Sequence, residues 1–286
     1  MATPLSTFTA PDGTRLAPHE RGAGPPLLCL PGGPMQSSAY LGDLGGLTAH
    51  RRLVLLDPRG TGASAVPADP ASYRCDRQVA DVEALREHLC LDRVDLLAHS
   101  AGANLALLYA TRHPDRVARL LLITPSVYAA GVQVTAEDRL SAARLRRGEP
   151  WFEPAYEALE SLTAGRPVTD AAQAVAPFYH SRWDDEARAY DAAGDRTRNP
   201  EAAAAYGAEG AFDPPATRAA LPSLRSPVLL LAGRTDVAAP PSAMEEYAAL
   251  FPKSEFRVQP DSGHFPWRDD PSAFTRVVEG FLGTSG

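Results

Sequence analysis

Cysteine, lysine and long apolar runs are the scarcest features of this 286-residue sequence. The three cysteines, Cys29, Cys75 and Cys90, form no CxxC pair. An odd cysteine count without a secretion signal predicts reduced thiols rather than a disulfide framework. No apolar run approaches the roughly 18 residues that a membrane-spanning helix needs, so we expect no membrane partner. The start of the chain lacks the basic and apolar segments of a signal peptide, so we expect a cytoplasmic protein.

Basic residues are also in the minority, and Lys253 is the only lysine among the 28 of them. The 35 acidic residues give a formal net charge of −7. A mildly acidic chain is poorly suited to binding the phosphates of nucleic acid, so we expect no nucleic-acid partner. The hydrophobic share of 44% is ordinary for a globular protein. The length allows one or two domains at roughly 150 residues each.

The first third of the chain alternates short apolar runs with helical patterns. Short apolar runs bounded by glycine and proline are typical of buried strands in a parallel sheet. Strand–helix–strand order with short links indicates an α/β fold. Asp12-Gly13 predicts the turn of an N-terminal hairpin. The predicted strands are Leu27–Leu30, Leu53–Leu56, Val94–Ala98 and Val117–Thr124, and the predicted helices are Asp76–Leu89 and Ala101–Arg112.

This alternation stops near residue 127 and resumes near residue 222. The stretch between is rich in Ala, Glu and Arg and contains no convincing strand. Its helical patterns fall near 136–147, 152–161, 184–193 and 201–209. Strands then return at Val228–Ala232 and Glu255–Gln259, with helices near 242–250 and 272–281. We therefore predict a core of residues 1–126 and 222–286, interrupted by a helical cap of residues 127–221.

The strongest signal for chemistry is Ala98-His99-Ser100-Ala101-Gly102, between a predicted strand and a predicted helix. This is the context of a nucleophile elbow, a tight turn that exposes a serine above the sheet. The turn needs small residues two positions before and after the serine, and Ala98 and Gly102 are small. The Ala101 N–H at the helix N-terminus would then face a developing oxyanion. We predict Ser100 as nucleophile; the alternative is a helix N-cap.

A serine at its normal pKa needs a base, and the base needs an acid that orients it. In folds with this elbow the chain order is serine, acid, histidine. His264 alone among the seven histidines follows the returning strands, and we predict it as the base. Asp236, in the loop after the predicted strand Val228–Ala232, is the predicted acid, and its alternative role is an N-cap of the next helix. Asp261, three residues from His264, and Asp213, outside the core pattern, are the rival acids.

A second oxyanion-binding N–H is expected from the loop after Leu27–Leu30. Residues 31–35 of that loop read Pro-Gly-Gly-Pro-Met, and glycine lets a backbone approach a substrate closely. Proline has no N–H to donate, so the donor is Gly32, Gly33 or Met35. We favour Gly33 as the partner of the Ala101 N–H.

These motifs together resemble the α/β-hydrolase superfamily, and within it the proline iminopeptidase-like branch. Residues 31–35 are similar to that branch's His-Gly-Gly-Pro-Gly oxyanion loop. Residues 57–64, Asp-Pro-Arg-Gly-Thr-Gly-Ala-Ser, are similar to its Asp-Gln-Arg-Gly-x-Gly-x-Ser loop. Asp236 and Gly263-His264 fall where the branch has its acid and base. The resemblance covers residues 6–126 and 227–284. The insert resembles the cap of this branch only in its position along the chain.

The resemblance implies an α/β-hydrolase fold, with a mostly parallel sheet of about eight strands, flanking helices and an inserted helical cap. It also implies a cofactor-free serine hydrolase related to aminopeptidases. The sequence departs from the branch at Pro31, Met35 and Ala101, where the branch tends to have His, Gly and Trp. These departures surround the oxyanion hole and the acyl pocket.

The cap is expected to supply substrate specificity. In aminopeptidases of this branch, cap carboxylates bind the free amino group of the substrate. Glu209 and Asp213 are the candidates for this role here, and the alternative is that each is only a surface charge. The aromatic residues of the cap would wall an apolar pocket or, alternatively, pack in the core of the cap. The candidate substrate-binding residues are Pro34, Met35, Trp151, Phe178, Tyr179, Trp183, Tyr206, Glu209 and Asp213.

No P-loop, HExxH or zinc-ligand spacing occurs in the sequence. Residues 60–65 match a dinucleotide-binding pattern loosely, but Pro67 and Pro70 prevent the helix that this pattern must open. We therefore predict no cofactor and no metal. Asp57 and Arg59 are predicted to form a buried pair that braces the loops, and His99 is predicted to pack beside the elbow.

The predicted function is cleavage of an acyl bond in a small molecule or short peptide by the Ser100–His264–Asp236 triad. The leaving group is an amine in an iminopeptidase, and an alcohol or thiol in an esterase, lactonase or thioesterase. A bond-forming acyltransferase or cyclase uses the same triad, and a non-catalytic ligand-binding protein uses the same fold. These alternatives share the motifs, so they stay open here, as does the oligomeric state.

Overall fold

The computed structural model describes residues 3–4 and 6–283, and strands and helices alternate along most of it. The strands are β1 (Thr3–Pro4), β2 (Phe8–Thr9), β3 (Arg15–Leu16), β4 (Pro18–Arg21), β5 (Pro26–Leu30), β6 (Arg52–Leu56), β7 (Val94–His99), β8 (Val117–Ile123), β9 (Val228–Gly233) and β10 (Ser254–Gln259). The helices are α1 (Val79–His88), α2 (Gly102–Arg112), α3 (Ala136–Arg144), α4 (Phe152–Thr163), α5 (Ala171–Val175), α6 (Asp185–Arg196), α7 (Pro200–Tyr206), α8 (Pro214–Ala220), α9 (Pro241–Ala248), α10 (Pro266–Asp269) and α11 (Pro271–Gly283).

The main sheet of the described chain has eight strands in the order β1-β4-β6-β5-β7-β8-β9-β10. β4 pairs antiparallel with β1 and with β6. All other neighbours in the sheet are parallel. β2 and β3 form the predicted separate hairpin around Asp12-Gly13. The predicted mostly parallel sheet of about eight strands is confirmed, whereas β4 was not predicted.

Alternate residues of the central strands pack into two different layers. In β5, Leu28 and Leu30 belong to the apolar cluster that includes residues of α1, α2 and α9. Leu27 and Cys29 belong to the cluster on the other face, which includes residues of α11. Successive side chains of a strand point to opposite faces, so a strand covered on both faces must be apolar throughout. The carboxyl ends of the parallel strands are left for the loops that carry the site.

Between β8 and β9 the chain forms α3 to α8 and adds no strand to the sheet described above. α3 begins with a capping box, in which Thr135 Oγ1 accepts the Asp138 N–H and the Asp138 carboxylate accepts the Thr135 N–H. The four helices predicted here are present, whereas α5 and α8 were not predicted. α5 has only 5 residues, too few for a clear helical period, and α8 begins with Pro214-Pro215, a pair that is typical of turns. Within residues 3–4 and 6–283, no helix combines the length and apolarity needed to cross a bilayer.

Asp57 and Arg59 are both buried, as predicted, but the prediction that they pair with each other is wrong. The guanidinium of Arg59, 2% exposed, donates to Asp81 (Nε–Oδ2 2.9 Å) and to Asp12 (Nη1–Oδ2 2.6 Å). The Asp57 carboxylate instead accepts the Ser38 N–H (2.8 Å) and the Ser38 hydroxyl (2.7 Å). The two side chains therefore bind different partners, and each braces a different part of the structure.

Candidate active site

The turn between β7 and α2 has the geometry of a nucleophile elbow. Ser100 has a φ of +50°, in the left-handed region that non-glycine residues rarely adopt. A Cβ at Gly102 would lie 2.4 Å from the carbonyl oxygen of Pro31, so only glycine lets the elbow approach the loop after β5. The residue at the N-cap of α2 is Ala101, with no side-chain capping bond. The Ser100 hydroxyl is therefore not a helix cap and is free to face the site.

Three side chains from distant parts of the sequence form one hydrogen-bonded line. Ser100 Oγ lies 2.9 Å from His264 Nε2, and His264 Nδ1 lies 2.7 Å from Asp236 Oδ2. Asp236 is fully buried, and its Oδ1 accepts the Ala238 N–H at 2.8 Å. A buried carboxylate between two donors holds the imidazole with its proton on Nδ1. Nε2 is then left as the acceptor that faces the serine.

The alternatives for the acid lie elsewhere in the structure. α9 begins after an N-cap at Pro240, so Asp236 does not cap it. Asp213 caps α8 by accepting the Ala216 N–H at 3.0 Å. Asp261 is exposed at the surface.

The loop after β5 places Gly33 beside Ser100. The Gly32 N–H is already engaged, because it donates to the hydroxyl of Tyr40 at 2.7 Å. The side chain of Met35 is buried behind the loop, where its sulfur contacts Gln78 Nε2. Gly33 lines both cavities that reach Ser100, and within the described residues neither its N–H nor that of Ala101 has an acceptor. The sequence alone leaves the N–H groups of Gly32, Gly33 and Met35 as candidate oxyanion donors, and of these Gly33 best matches the predicted role.

Tyr40 and His99 connect the loop after β5 to the loop that carries the base. The Tyr40 hydroxyl accepts the Gly32 N–H and lies 2.6 Å from His99 Nδ1. His99 Nε2 lies 3.0 Å from the carbonyl oxygen of His264. Burial, with a smaller contribution from the charge of His264, lowers the pKa of His99 well below its usual value. A neutral His99 accepts from Tyr40 and donates to the His264 carbonyl, so every bond in this relay has a consistent direction.

We expect Tyr40→Phe to lower kcat by about 10-fold or more while KM changes less than about threefold. The substitution leaves the Gly32 N–H without an acceptor and frees the loop that positions Gly33. Steady-state kinetics on the purified variant measures both constants.

Tyr109→Phe is the matched control for this variant. Tyr109 is fully buried, whereas Tyr40 is half-buried, and the Tyr109 hydroxyl donates at 2.7 Å to Glu83, which lies on α1 and away from the site. We expect it to lower thermal stability without lowering kcat. An equal loss of kcat in both variants would assign Tyr40 a structural role only.

Two cavities meet at Ser100 and His264. The larger has a volume of about 360 Å³ and the smaller about 250 Å³. Gly33, Tyr179 and Ala238 line both of them. The main-chain carbonyl of Tyr179 also accepts the His264 N–H at 2.8 Å. The insertion therefore contributes Tyr179 to both cavities and holds the loop of His264.

Charged side chains differ between the two cavities. The larger cavity is lined by Arg139 from α3 and is otherwise mostly neutral. The smaller cavity is lined by Asp191 and Asp195 of α6 and by Arg198. No motif marked these residues, because their positions depend on how the insertion sits over the core.

Two of the nine candidate substrate-binding residues line a cavity at Ser100. Pro34 lines the larger cavity, and Tyr179 lines both. Met35 and Tyr206 line a void of about 20 Å³ behind the loop after β5. The hydroxyl of Tyr206 donates to the carbonyl of Ala101 at 2.8 Å. These last two side chains therefore support the elbow and its loop from behind.

The remaining candidates lie away from the two cavities. Trp151 packs edge-to-face on the fully buried ring of Phe178. Trp183 lies under the guanidinium of Arg188. Glu209 is exposed, and Asp213 is the helix cap described above. The structure thus does not bring the two predicted amine-binding carboxylates to Ser100. In the part of the chain that is described, no three His, Cys, Asp or Glu side chains gather as metal ligands.

Comparison with known proteins gives consistent matches along most of the chain. The sequence model of a family described as alpha/beta hydrolase fold matches residues 25–271. A proline iminopeptidase from Heyndrickxia coagulans is 28% identical over 272 residues, which cover 92% of each chain. A Bacillus subtilis (strain 168) protein named putative 2-succinyl-6-hydroxy-2,4-cyclohexadiene-1-carboxylate synthase is 27% identical over 286 residues, 96% of this chain and 97% of that one. A solved structure of a thermophilic esterase from Thermogutta terrifontis has a TM-score of 0.67 and 26% identity, and covers 99% of this chain and 98% of its own.

Proposed function

The chain belongs to the alpha/beta hydrolase fold family, and from that premise we propose that it is a cofactor-independent serine hydrolase working through an acyl-enzyme. It is similar to the proline iminopeptidase-like branch of the family. The observation that most supports the proposal is the line from Asp236 through His264 to Ser100, open to two cavities. A small-molecule substrate suits cavities of this size.

The first half of the reaction forms the acyl-enzyme. His264 Nε2 takes the proton of Ser100 as its Oγ attacks the carbonyl carbon of the substrate. Asp236 holds the imidazole in the required tautomer and stabilises the imidazolium. The Gly33 and Ala101 N–H groups bind the oxyanion of the tetrahedral intermediate. Collapse of the intermediate breaks the bond to the leaving group, which receives the proton from His264.

The second half returns the enzyme to its starting state. His264 Nε2 takes a proton from water, whose oxygen attacks the acyl carbon. The second tetrahedral intermediate uses the same two N–H donors. Its collapse breaks the bond to Ser100, and His264 returns the proton to the serine oxygen. An ester and one water are thus converted to one acid and one alcohol.

We favour an ester over a prolyl peptide as the bond that is cleaved. A prolyl substrate presents a positively charged amine, which needs a carboxylate near the acyl carbon. Glu209 and Asp213, the residues predicted for that role, lie outside both cavities. The larger cavity is lined by a cation, Arg139, which repels an amine.

An aminopeptidase is the second candidate, and one observation favours it. Asp191 and Asp195 are one helical turn apart on α6, and both line the smaller cavity. Together they would suit a protonated amine. Arg198, which lines the same cavity, offsets part of this negative charge.

Parallel assays with 4-nitrophenyl butyrate and proline 4-nitroanilide separate the two candidates. We expect turnover of the ester and none of the anilide. Turnover of the anilide that disappears when its amine is acetylated would instead establish the aminopeptidase. Absence of turnover on both substrates would contradict the proposal of a hydrolase.

A further inference from the structure

The larger cavity has an uneven distribution of charge. Among the described residues that line it, Arg139 is the only ionisable cation apart from His264, and none is a carboxylate. The other walls are backbone, small polar groups and apolar side chains such as Val127 and Val132. A half-buried guanidinium in such surroundings favours an anionic partner.

The fold holds Arg139 close to the loop of the predicted acid. Arg139 Nη1 donates to the carbonyl oxygen of Val237 at 2.8 Å, and Val237 follows Asp236 in the chain. A guanidinium carries five N–H donors in a rigid fork, so this bond fixes its position and leaves donors for a second acceptor.

No carboxylate of the described chain forms an ion pair with Arg139 within 4 Å. Its sequence neighbour Asp138 is engaged elsewhere: one oxygen accepts the Ser242 hydroxyl at 2.6 Å, and the other accepts from Thr135. The neighbouring arginine of α3, Arg144, is bonded to Glu137. Arg139 is therefore a cation that faces a cavity and has a carbonyl, rather than a carboxylate, as its protein partner.

Resting on the proposed function, we propose that the larger cavity binds a carboxylate carried by the substrate and that Arg139 determines this specificity. The enzyme then prefers esters that have a free carboxylate a few bonds from the scissile carbonyl. Asp191 and Asp195 direct such a group away from the smaller cavity, because they repel a second negative charge.

The test compares two pairs of esters that differ by one charge. The first pair is mono-4-nitrophenyl glutarate and 4-nitrophenyl butyrate, of which the glutarate carries a carboxylate on its acyl group. 4-Acetoxybenzoate against its methyl ester places it on the leaving group. We expect the wild-type protein to favour the anionic member of at least one pair in kcat/KM. We expect Arg139→Gln to lower that anionic kcat/KM by about 10- to 100-fold, with less than about threefold change for the neutral member.

Three further variants make the test specific. Arg139→Lys keeps the charge without the fork and should retain part of the preference. Arg144→Gln removes a cation of the same helix that does not line the cavity, and it should leave the preference unchanged. Arg198→Gln tests whether the cation that lines the smaller cavity causes the preference instead. Activity on the neutral esters shows that each variant is folded.

The outcomes separate this inference from the proposed function. Equal kcat/KM for charged and neutral esters, unchanged in Arg139→Gln, would overturn the inference and leave the hydrolase intact. A preference that disappears in Arg198→Gln but persists in Arg139→Gln would also overturn it. A wild-type protein inert toward all four esters would overturn both.

Discussion

Ser100→Ala is expected to lower kcat for ester hydrolysis by about 10⁴-fold or more. The variant removes the oxygen that lies 2.9 Å from His264 Nε2, and no other hydroxyl hydrogen-bonds to that nitrogen within the described chain. The two N–H donors and the cavities stay in place, so weak binding of substrate persists without acyl transfer.

The same substitution should leave the fold unchanged. Serine and alanine meet the same steric penalty at a φ of +50°, so the strain of the elbow is not altered. We expect a melting temperature within about 4 °C of the wild-type value. Ser272→Ala, at an exposed serine bonded to Asp270, is the control for serine removal and should keep full activity.

A fluorophosphonate provides a readout of the covalent step that is independent of the substrate. Mass spectrometry of the labelled wild-type protein is expected to show one adduct, on Ser100. Ser100→Ala should show none. A folded Ser100→Ala variant with more than about a tenth of wild-type activity would refute the nucleophile assignment.

The core elements were predictable because each has a recognisable hydrophobic pattern in the sequence. The predicted runs Leu27–Leu30 of β5 and Leu53–Leu56 of β6 are apolar at every position, as burial on both faces requires, and the run Val94–Ala98 of β7 departs from this only at the half-buried Asp95. β4 has no such signature. Its sequence, Pro-His-Glu-Arg, is mostly half-buried and lies between the two-residue β1 and the rest of the sheet. Strand pairing rather than side-chain burial holds it in place, and a pattern of hydrophobicity does not reveal such a strand.

That Ser100, Asp236 and His264 lie together followed from topology. Ser100, Asp236 and His264 each lie in a loop that follows a strand of the parallel part of the sheet. Parallel strands end at the same edge, so residues 28 and 164 positions apart meet there. No detail of side-chain packing was needed for this prediction.

The charged side chains that line the cavities were not predictable in this way. A helical period indicates that α3 and α6 exist, but it does not give their orientation over the core. Arg139 and Asp191 therefore looked like any other surface charge. Glu209 and Asp213 were chosen by type and approximate position, and the structure has them outside the cavities. Tyr40 lies in the short turn Ser38–Leu41, which carries no motif for a relay.

Asp236→Asn is expected to lower kcat by about 10⁴-fold although it changes one atom. In the native protein Oδ1 accepts the Ala238 N–H and Oδ2 accepts from His264 Nδ1. An asparagine has an acceptor oxygen at one of these two positions and a donor N–H₂ group at the other. Its oxygen must face the Ala238 N–H, since two donors would otherwise face each other in a fully buried site. The amide N–H₂ then faces His264.

This orientation of the asparagine amide in Asp236→Asn changes the tautomer of His264. His264 Nδ1 becomes an acceptor, the ring proton moves to Nε2, and Nε2 no longer has a lone pair for the proton of Ser100. Nitrogen-15 NMR of labelled histidine should show the proton on Nε2 in the variant and on Nδ1 in the wild type. Asp261→Asn, at the exposed rival acid, should keep both kcat and the native tautomer. Loss of activity in Asp261→Asn with activity kept in Asp236→Asn would reverse the assignment, because only the acid bonded to Nδ1 controls where the ring proton lies.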